Sequence, residues 1–488
     1  MSDAKKIRQA LRESLPEVDH AGAEPDRQPA FTYVPPSHAK ALDPDVSVVE
    51  GIRGAGKSFW WAHLSSEPHR KFIGAAFPEA RVAETVRVEQ GFGAQTSSED
   101  APSQQVLASL LGAGFSARVI WRAVLAHKAG FGAPFPASAK WRDRVQWVQA
   151  NAEEFDELLQ ATDKALQASG ETLVILFDAL DRLAEQWDTI RPLAKGLLQI
   201  ALDLRATKRI RFKVFVRPDM LQDREIIGFP DASKLLARRA ALVWRRADLY
   251  ALLFQCMGNA KSGGAEFRQI CKSDLDLLWR MSADAWLLPL PLRTDEAVQE
   301  QAFMQIAGKA MAAGPSGYKR GKPYTWLVNH LQDGLDQVSP RSFFAAVRQA
   351  ADETPDDAPL PLDYKAIQSG VQAASQIRVN EITREDYPWV DLVMQPLKGK
   401  LTVPCTAKDM EVLWSKDKTL QQLRERLKLS PSAVKLPPQR LEEGVEGVLA
   451  DLESLGLVKR MSDRRVQMPD VYRIAFGFGR RGGVKPLK

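Results

Sequence analysis

The chain has 488 residues, enough for roughly three domains at ~150 residues each. Its 45% hydrophobic and 26% charged content fits a globular protein with a buried core and excludes a disordered or fibrous one. The net charge of +6 is confined to one end: residues 401–488 hold 17 Lys and Arg against 11 Asp and Glu, and the remainder balances at 50 and 50.

Other classes drop out on residue types. Cys256, Cys271 and Cys405 lie far apart with no C-x-x-C pair, which argues for a reducing compartment and against structural zinc. The six histidines show no metal-ligand spacing, so Mg²⁺ accompanying a nucleotide is the one metal to expect. The opening MSDAKKIRQALRESLPEVD mixes both charge signs without an apolar core and does not read as a signal peptide. Ala101 to Ala117, the longest uncharged run, is too short and too polar to span a bilayer. The expectation is a cytoplasmic protein with no membrane partner.

In chain order, residues 1–45 carry six prolines among charged and small residues and read as a largely irregular arm. Val46 to Glu50 is a strand, and Gly51-Ile52-Arg53-Gly54-Ala55-Gly56-Lys57-Ser58 follows it as a complete G-x-x-x-x-G-K-S. A helix-like run from Phe59 to Leu64 leads out. This is the setting a phosphate loop needs. Backbone N–H groups of Gly51, Arg53, Gly54, Ala55 and Gly56 would turn around phosphate oxygens at the positive end of the new helix. Lys57 would bridge the β- and γ-phosphates, and the Ser58 hydroxyl would sit on Mg²⁺. The chain reads as one that binds ATP.

Phe72–Phe77 and Glu84–Val88 are alternative second strands, between which the residues do not choose. Gly91–Gln104 is a loop. Helical periodicity covers Gln105–His127 and Trp141–Ser169, an insertion placed to carry partner contacts. Leu173 to Phe177 is then a buried strand with Asp178 at its C-terminal end, where ligands sit in doubly wound α/β folds. Asp178 is thus placed to hold Mg²⁺. Ile190, Leu193, Leu197, Ile200 and Leu204 form one helix face packed on the sheet. Arg211–Val216 is the next strand and delivers Arg217-Pro218-Asp219 to the same edge. Ala240–Trp244 is a further strand, preceded by Arg238 and Arg239, and a helix follows over Asp248–Met257.

Residues 258–355 read as helical, ending in Ser339-Pro340-Arg341-Ser342-Phe343 with Ser339 as cap and Pro340 in the first turn. Residues 352–362 are an acidic, proline-rich linker. Beyond them come three short helical stretches (Ala407–Trp414, Leu420–Leu427, Arg440–Leu455). Leu457–Met461 and Val471–Phe476 alternate like a hairpin. Three helices and a two-stranded wing describe a winged helix. The expected domains are 1–45 (arm), 46–257 (ATPase core), 258–355 (helical lid), 356–399 (linker and connecting segment) and 400–488 (basic winged helix).

The order GIRGAGKS, LVILFDALDR, FKVFVRPD, LLARRAALVW, then SPRSF and a possible winged helix resembles the AAA+ and STAND branch of P-loop ATPases. It is similar above all to origin-recognition-type members, and also to bacterial ATPases found near mobile-element and phage-defence loci. The resemblance covers residues 46–350 well and 400–476 loosely. It implies an α/β P-loop core with a parallel sheet flanked by helices, then a helical lid and a C-terminal winged helix. It implies sensor 1 at Arg217, an arginine finger toward a neighbouring subunit at Arg238 or Arg239, and sensor 2 at Arg341. Many hydrolytic members follow the Walker B aspartate with Glu, whereas here the position is Ala179. Asp181 resembles the D-x-x-D variant of the STAND branch, so slow hydrolysis and a switch role are expected.

Two functions follow. One is an ATP-dependent switch, forming nucleotide-dependent homo-oligomers, whose winged helix engages duplex DNA through Lys459, Arg460, Arg464 and Arg465. The tail residues Arg480, Arg481, Lys485 and Lys488 would add charge. The other is a signalling or assembly ATPase of a defence system whose C-terminal domain binds an effector protein on another chain.

Overall fold

Five parallel strands form the sheet that carries the phosphate loop, in the order β2-β3-β4-β1-β5. They are β1 (Val48–Glu50), β2 (Val86–Phe92), β3 (Thr172–Phe177), β4 (Ile210–Val216) and β5 (Ala240–Ala241). A computed structural model describes residues 3–16, 28–82, 85–94, 96–429, 436–480 and 484–486. It divides into two compact units, one of residues 22–29 and 34–243, the other of residues 1–21, 30–33 and 244–488. No helix among the described residues is long and apolar enough to cross a membrane.

The sheet is the α/β core expected of a P-loop protein. β3 (TLVILF) and β4 (IRFKVFV) are built from β-branched, leucine and aromatic residues, and β3 is buried from Leu173 onward, as a strand covered on both faces must be. Register is parallel throughout, with Val48 beside Val214 and Phe177 beside Val214 in turn. The C-terminal ends of all strands therefore share one edge. The helix Trp187–Asp203 packs its Ile190, Leu193, Leu197 and Ile200 stripe inward, each worth about 1.5–3 kcal/mol on burial. Gly196 lets it approach the helix Ala117–Ala129: a Cβ there would lie 2.7 Å from the Ala117 Cβ.

One buried charge interrupts this apolar sheet. Lys213 of β4 is fully enclosed, and its ammonium donates to the carbonyls of Ala41, Asp43 and Val46 at 2.8, 2.9 and 2.7 Å. Burial pushes its amine down to about 7. These bonds tie the helix Pro36–Leu42 to the sheet.

Several expectations are corrected. Phe72–Phe77 is not a strand but the end of a helix, Glu67–Ala76, started by Pro68 and burying His69, Phe72 and Ile73 on one face. The second strand is the alternative, beginning at Val86. Gln105–His127 splits into Gln104–Gly112 and Ala117–Ala129, because Gly114 at φ 88° breaks the first and Ser116 caps the second. Trp141–Ser169 likewise splits at Asn151. β5 is two residues long, not five.

The second unit is helical apart from three two-stranded pairs among the described residues. One is an unexpected hairpin, Arg280–Ser282 with Ala285–Leu287, inside the segment read as all helical. The arm is not irregular over its first stretch: Asp3–Ser14 is a helix. Its buried Arg8 donates to the carbonyls of Pro361 and Leu360, both at 3.0 Å, and Lys5 pairs with Asp356 at 3.0 Å. The acidic linker is therefore a folded loop. The helix Tyr364–Asn380 after it lies so close to Pro340–Glu353 that a Cβ on Gly370 would sit 2.1 Å from the Ala346 oxygen.

At the C-terminal end the three helices are Ala407–Lys416, Thr419–Leu429 and Gly444–Ser454. An antiparallel hairpin follows, pairing Lys459–Arg460 with Val466–Gln467. Val471–Phe476, expected as a strand, instead starts with the helical turn Asp470–Arg473 after Pro469. All six of its residues are buried, Arg473 included, so the alternation had no solvent face to report. Arg473 is held by Asp470 and by the carbonyls of Phe478 and Val484.

Candidate nucleotide-binding site

The phosphate loop leaves β1 and turns into the helix Lys57–Ser65. Gly54 at φ 76° and Gly56 at φ 103° occupy backbone conformations that disfavour any side chain. Gly56 stands at the N-cap with no side-chain cap, so the first-turn N–H groups are left for a ligand. Ala55 is buried and Arg53 part-buried within the loop. The Lys57 ammonium donates to Gly51 O at 2.9 Å and Ile52 O at 3.1 Å, closing the loop on itself. Burial pushes its amine down to about 8, against the pull of the Asp178 charge.

Asp178 follows β3 directly and is 3% exposed. Burial raises its carboxyl, opposed by the Ser58 hydroxyl, which donates to it, by the Lys57 charge and by the Ala179 N–H. Lys57, Ser58 and Asp178 are thus brought together from two strands. The pairing of a hydroxyl with a carboxylate is a hard-oxygen donor set of the kind Mg²⁺ takes alongside water and phosphate. These residues fit the ion.

Ala179 turns the chain sharply, at φ 55° and ψ 41°. The turn sends Asp181 toward β4, where its carboxylate lies 3.7 Å from Arg217 Nη1. Arg217 Nε lies 3.0 Å from Asp219 Oδ1. Arg217 is 7% exposed, a buried cation between two acids rather than a surface arginine at a strand end. Asp219 was missed as a site residue. Its signal was present in the Arg217-Pro218-Asp219 spacing, since Pro218 starts a helix and turns both side chains to one end.

The two arginines before β5 separate. Arg239 Nε lies 2.8 Å from Glu50, the last residue of β1, whereas Arg238 is exposed. Arg341 belongs to the other unit, where it pairs with Glu381 at 2.6 Å; Ser339 stands at that helix's N-cap without a side-chain bond.

In the C-terminal hairpin, most of the proposed phosphate contacts already have acids. Lys459 lies 2.9 Å from Asp336, Arg460 2.7 Å from Glu446 and 3.6 Å from Glu453, and Arg465 2.7 Å from Asp463. Arg464 is exposed, at φ 65° in the turn. The preceding helix Gly444–Ser454 carries Glu446, Asp451 and Glu453 and no basic residue. Arg480 pairs with Asp470 at 3.1 Å, and Lys485 is exposed. Arg481 and Lys488 lie outside the described residues.

No protein-family model matches the sequence. No curated protein matches it either. Among solved structures, the chain is similar to the Aeropyrum pernix ORC2 protein in its ADPNP–ADP complexes, with 14% identity and a TM-score of 0.39 over 91% of this chain and 93% of that one. It is similar to the Aeropyrum pernix ORC1 protein in complex with DNA, with 13% identity, a TM-score of 0.31, and 88% and 87% covered. Cdc6p from Pyrobaculum aerophilum gives 11% identity, a TM-score of 0.30, and 92% and 93% covered. All three similarities are weak and run nearly end to end.

Proposed function

We propose that this chain is an ATP-binding P-loop ATPase of the AAA+/STAND type that works as a slow nucleotide-dependent switch. The convergence of Lys57, Ser58 and Asp178 beside a helix N-terminus with open N–H groups carries the reading. In it, Lys57 exchanges its bonds to Gly51 and Ile52 for the β- and γ-phosphates. Ser58 and Asp178 would hold Mg²⁺, which neutralises phosphate charge when bound. Arg217 stands as the polar sensor, with Asp181 and Asp219 holding its guanidinium.

Slow turnover is supported by Ala179 and by the engagement of Asp181 with Arg217. A well-placed general base is worth about 10²–10⁴-fold. Arg238, exposed, is the better candidate for a finger reaching a second subunit. Calorimetry with ATP and Mg²⁺ tests the central claim: wild type should bind, and folded Lys57→Ala should lose nearly all affinity. Unchanged affinity in that variant would sink it.

For residues 400–488 the helix order supports a winged-helix-like module, and a partner protein is the better-supported occupant than duplex DNA. The third helix, which would face the groove, is acidic, and its Glu446 and Glu453 neutralise Arg460. An acidic face repels phosphate.

A further inference from the structure

The helices inserted between β2 and β3 enclose a cavity of about 940 Å³ within the sheet-bearing unit. Its walls come from the loop leaving β2, the helix Gln104–Gly112, and residues 138–144. Arg144 lines it and is 7% exposed. Its Nη2 donates to Ala137 O at 2.6 Å, while Nε and Nη1 are buried and have no partner. Among the described residues, no carboxylate lies within ion-pair distance of it. The guanidinium carbon sits 4.5 Å from the Trp141 ring centre, and Trp141 is itself fixed by donating to Ser98 O at 2.9 Å. A rigid, buried cation with two unmatched donors is rare in native proteins, since each unmatched group costs about 1–3 kcal/mol.

The rest of the wall does not supply the missing anion. Asp100 is engaged by Lys128 at 2.6 Å. Glu99 is exposed, as are Lys140 and Arg142, which leave the lining basic. His127 meets Trp141 edge-on at 5.4 Å. Burial, with Arg144 nearby, pushes His127 down to about 4, so at neutral pH it adds no charge.

We propose that this cavity binds a small oxyanion-bearing molecule, a phosphate ester or a carboxylate, with Arg144 as its anchor. The volume lies within the range of small-ligand pockets, about 300–1,000 Å³. A nucleic-acid backbone is a poor fit, because the guanidinium is buried against Trp141 rather than presented on a face. The site also adjoins the phosphate loop's helix. The loop carrying Ser98 and Asp100 starts at Gly93, where a Cβ would lie 2.5 Å from Trp61 of the helix Lys57–Ser65. The ligand thereby gives the switch a second input, a consequence that rests on the nucleotide-binding reading; the binding itself does not.

The test is calorimetric titration of the full chain, saturated with ADP and Mg²⁺, with citrate and with pyrophosphate. One of the two should bind, and which one distinguishes a carboxylate ligand from a phosphate. Arg144→Gln should weaken that binding about tenfold or more, the loss expected for a charge-assisted bond. Ser109→Trp, which fills the cavity from an exposed position without touching the arginine, should abolish it. ADP affinity, measured separately, checks that both variants are folded and reports independently on the nucleotide site. Failure of both anions to bind wild type at millimolar concentration overturns the proposal. So does binding that survives both substitutions.

Discussion

The Lys57 ammonium sits 2.9 Å from the carbonyl oxygen of Gly51, so the lysine meant for phosphate holds the mouth of its own loop. Burial has moved its amine from 10.5 to about 8. Between those values the unfolded chain keeps the proton and the folded one releases it. The cost of the buried charge is therefore present in full below about pH 8, and stability of the ligand-free protein rises from there toward 10.5. Phosphate needs the ammonium. ATP affinity should be flat up to about pH 8 and then fall by up to about tenfold per unit. Calorimetry from pH 7 to 9.5 reads this directly, and an affinity flat to pH 9.5 would contradict it.

Arg217 gives the second prediction. Its two acids hold the guanidinium at the sheet edge, so Arg217→Ala should reduce turnover about a hundredfold, as for loss of a preorganised charge donor. ATP affinity should change only a few-fold. Asp219→Asn should produce a smaller fall of the same kind by loosening the arginine. Equal reductions in affinity and turnover would mark Arg217 as a simple binding residue.

Ala179 gives the third. A non-glycine residue at φ 55° costs roughly 1–2 kcal/mol, partly offset in any glycine variant by unfolded-chain entropy. Ala179→Gly should gain about 0.5–1 kcal/mol in urea unfolding. A drop in stability would mean that the methyl group packs usefully at the turn.

Much of this site could be read from the residues because each motif binds its chemistry to a local backbone. The phosphate loop needs glycines at positive φ, and β3 must be apolar to be buried on both faces. What could not be read is long-range pairing. Nothing local in Asp181 or Asp219 says that Arg217 will lie between them, or that Arg239 will reach Glu50 across 189 positions. Lys213 looks like a strand's solvent-facing residue until three carbonyls are found around it. The Val471–Phe476 alternation misled because alternation reports a face only when one side meets water. The charge excess at the C-terminal end misled similarly, since a count of lysines and arginines does not show which already have acids.

The arginines before β5 give the fourth prediction. Arg239 is held by Glu50 and Arg238 is exposed, so they should behave differently. ATPase activity per chain should rise with protein concentration, and Arg238→Ala should remove that rise. Arg239→Ala should cost at most about 1 kcal/mol of stability, the value of an exposed ion pair, with the concentration dependence intact. A rate independent of concentration in wild type would remove the finger role from both.

The last prediction concerns the C-terminal hairpin. Lys459, Arg460 and Arg465 each have an acid partner within 3 Å, which leaves Arg464 as the hairpin cation best exposed to a phosphate. Removing one cation that touches phosphate should flatten the dependence of log affinity on log salt by about 0.9. If all four cations touched DNA, neutralising Arg464 and Arg465 together would lower that slope by about two units. The pairing implies less than one unit, on duplex binding that is weak even at 50 mM salt. Fluorescence anisotropy of the full chain with two unrelated duplexes measures both quantities. Replacing the neutralising acids supplies the converse: Glu446→Gln with Glu453→Gln frees Arg460 and should strengthen duplex binding on both sequences equally, because phosphate contacts carry no base preference. Tight wild-type binding, with a slope about two units shallower in the arginine double variant, would return this module to DNA, with the ion pairs opening as the duplex docks.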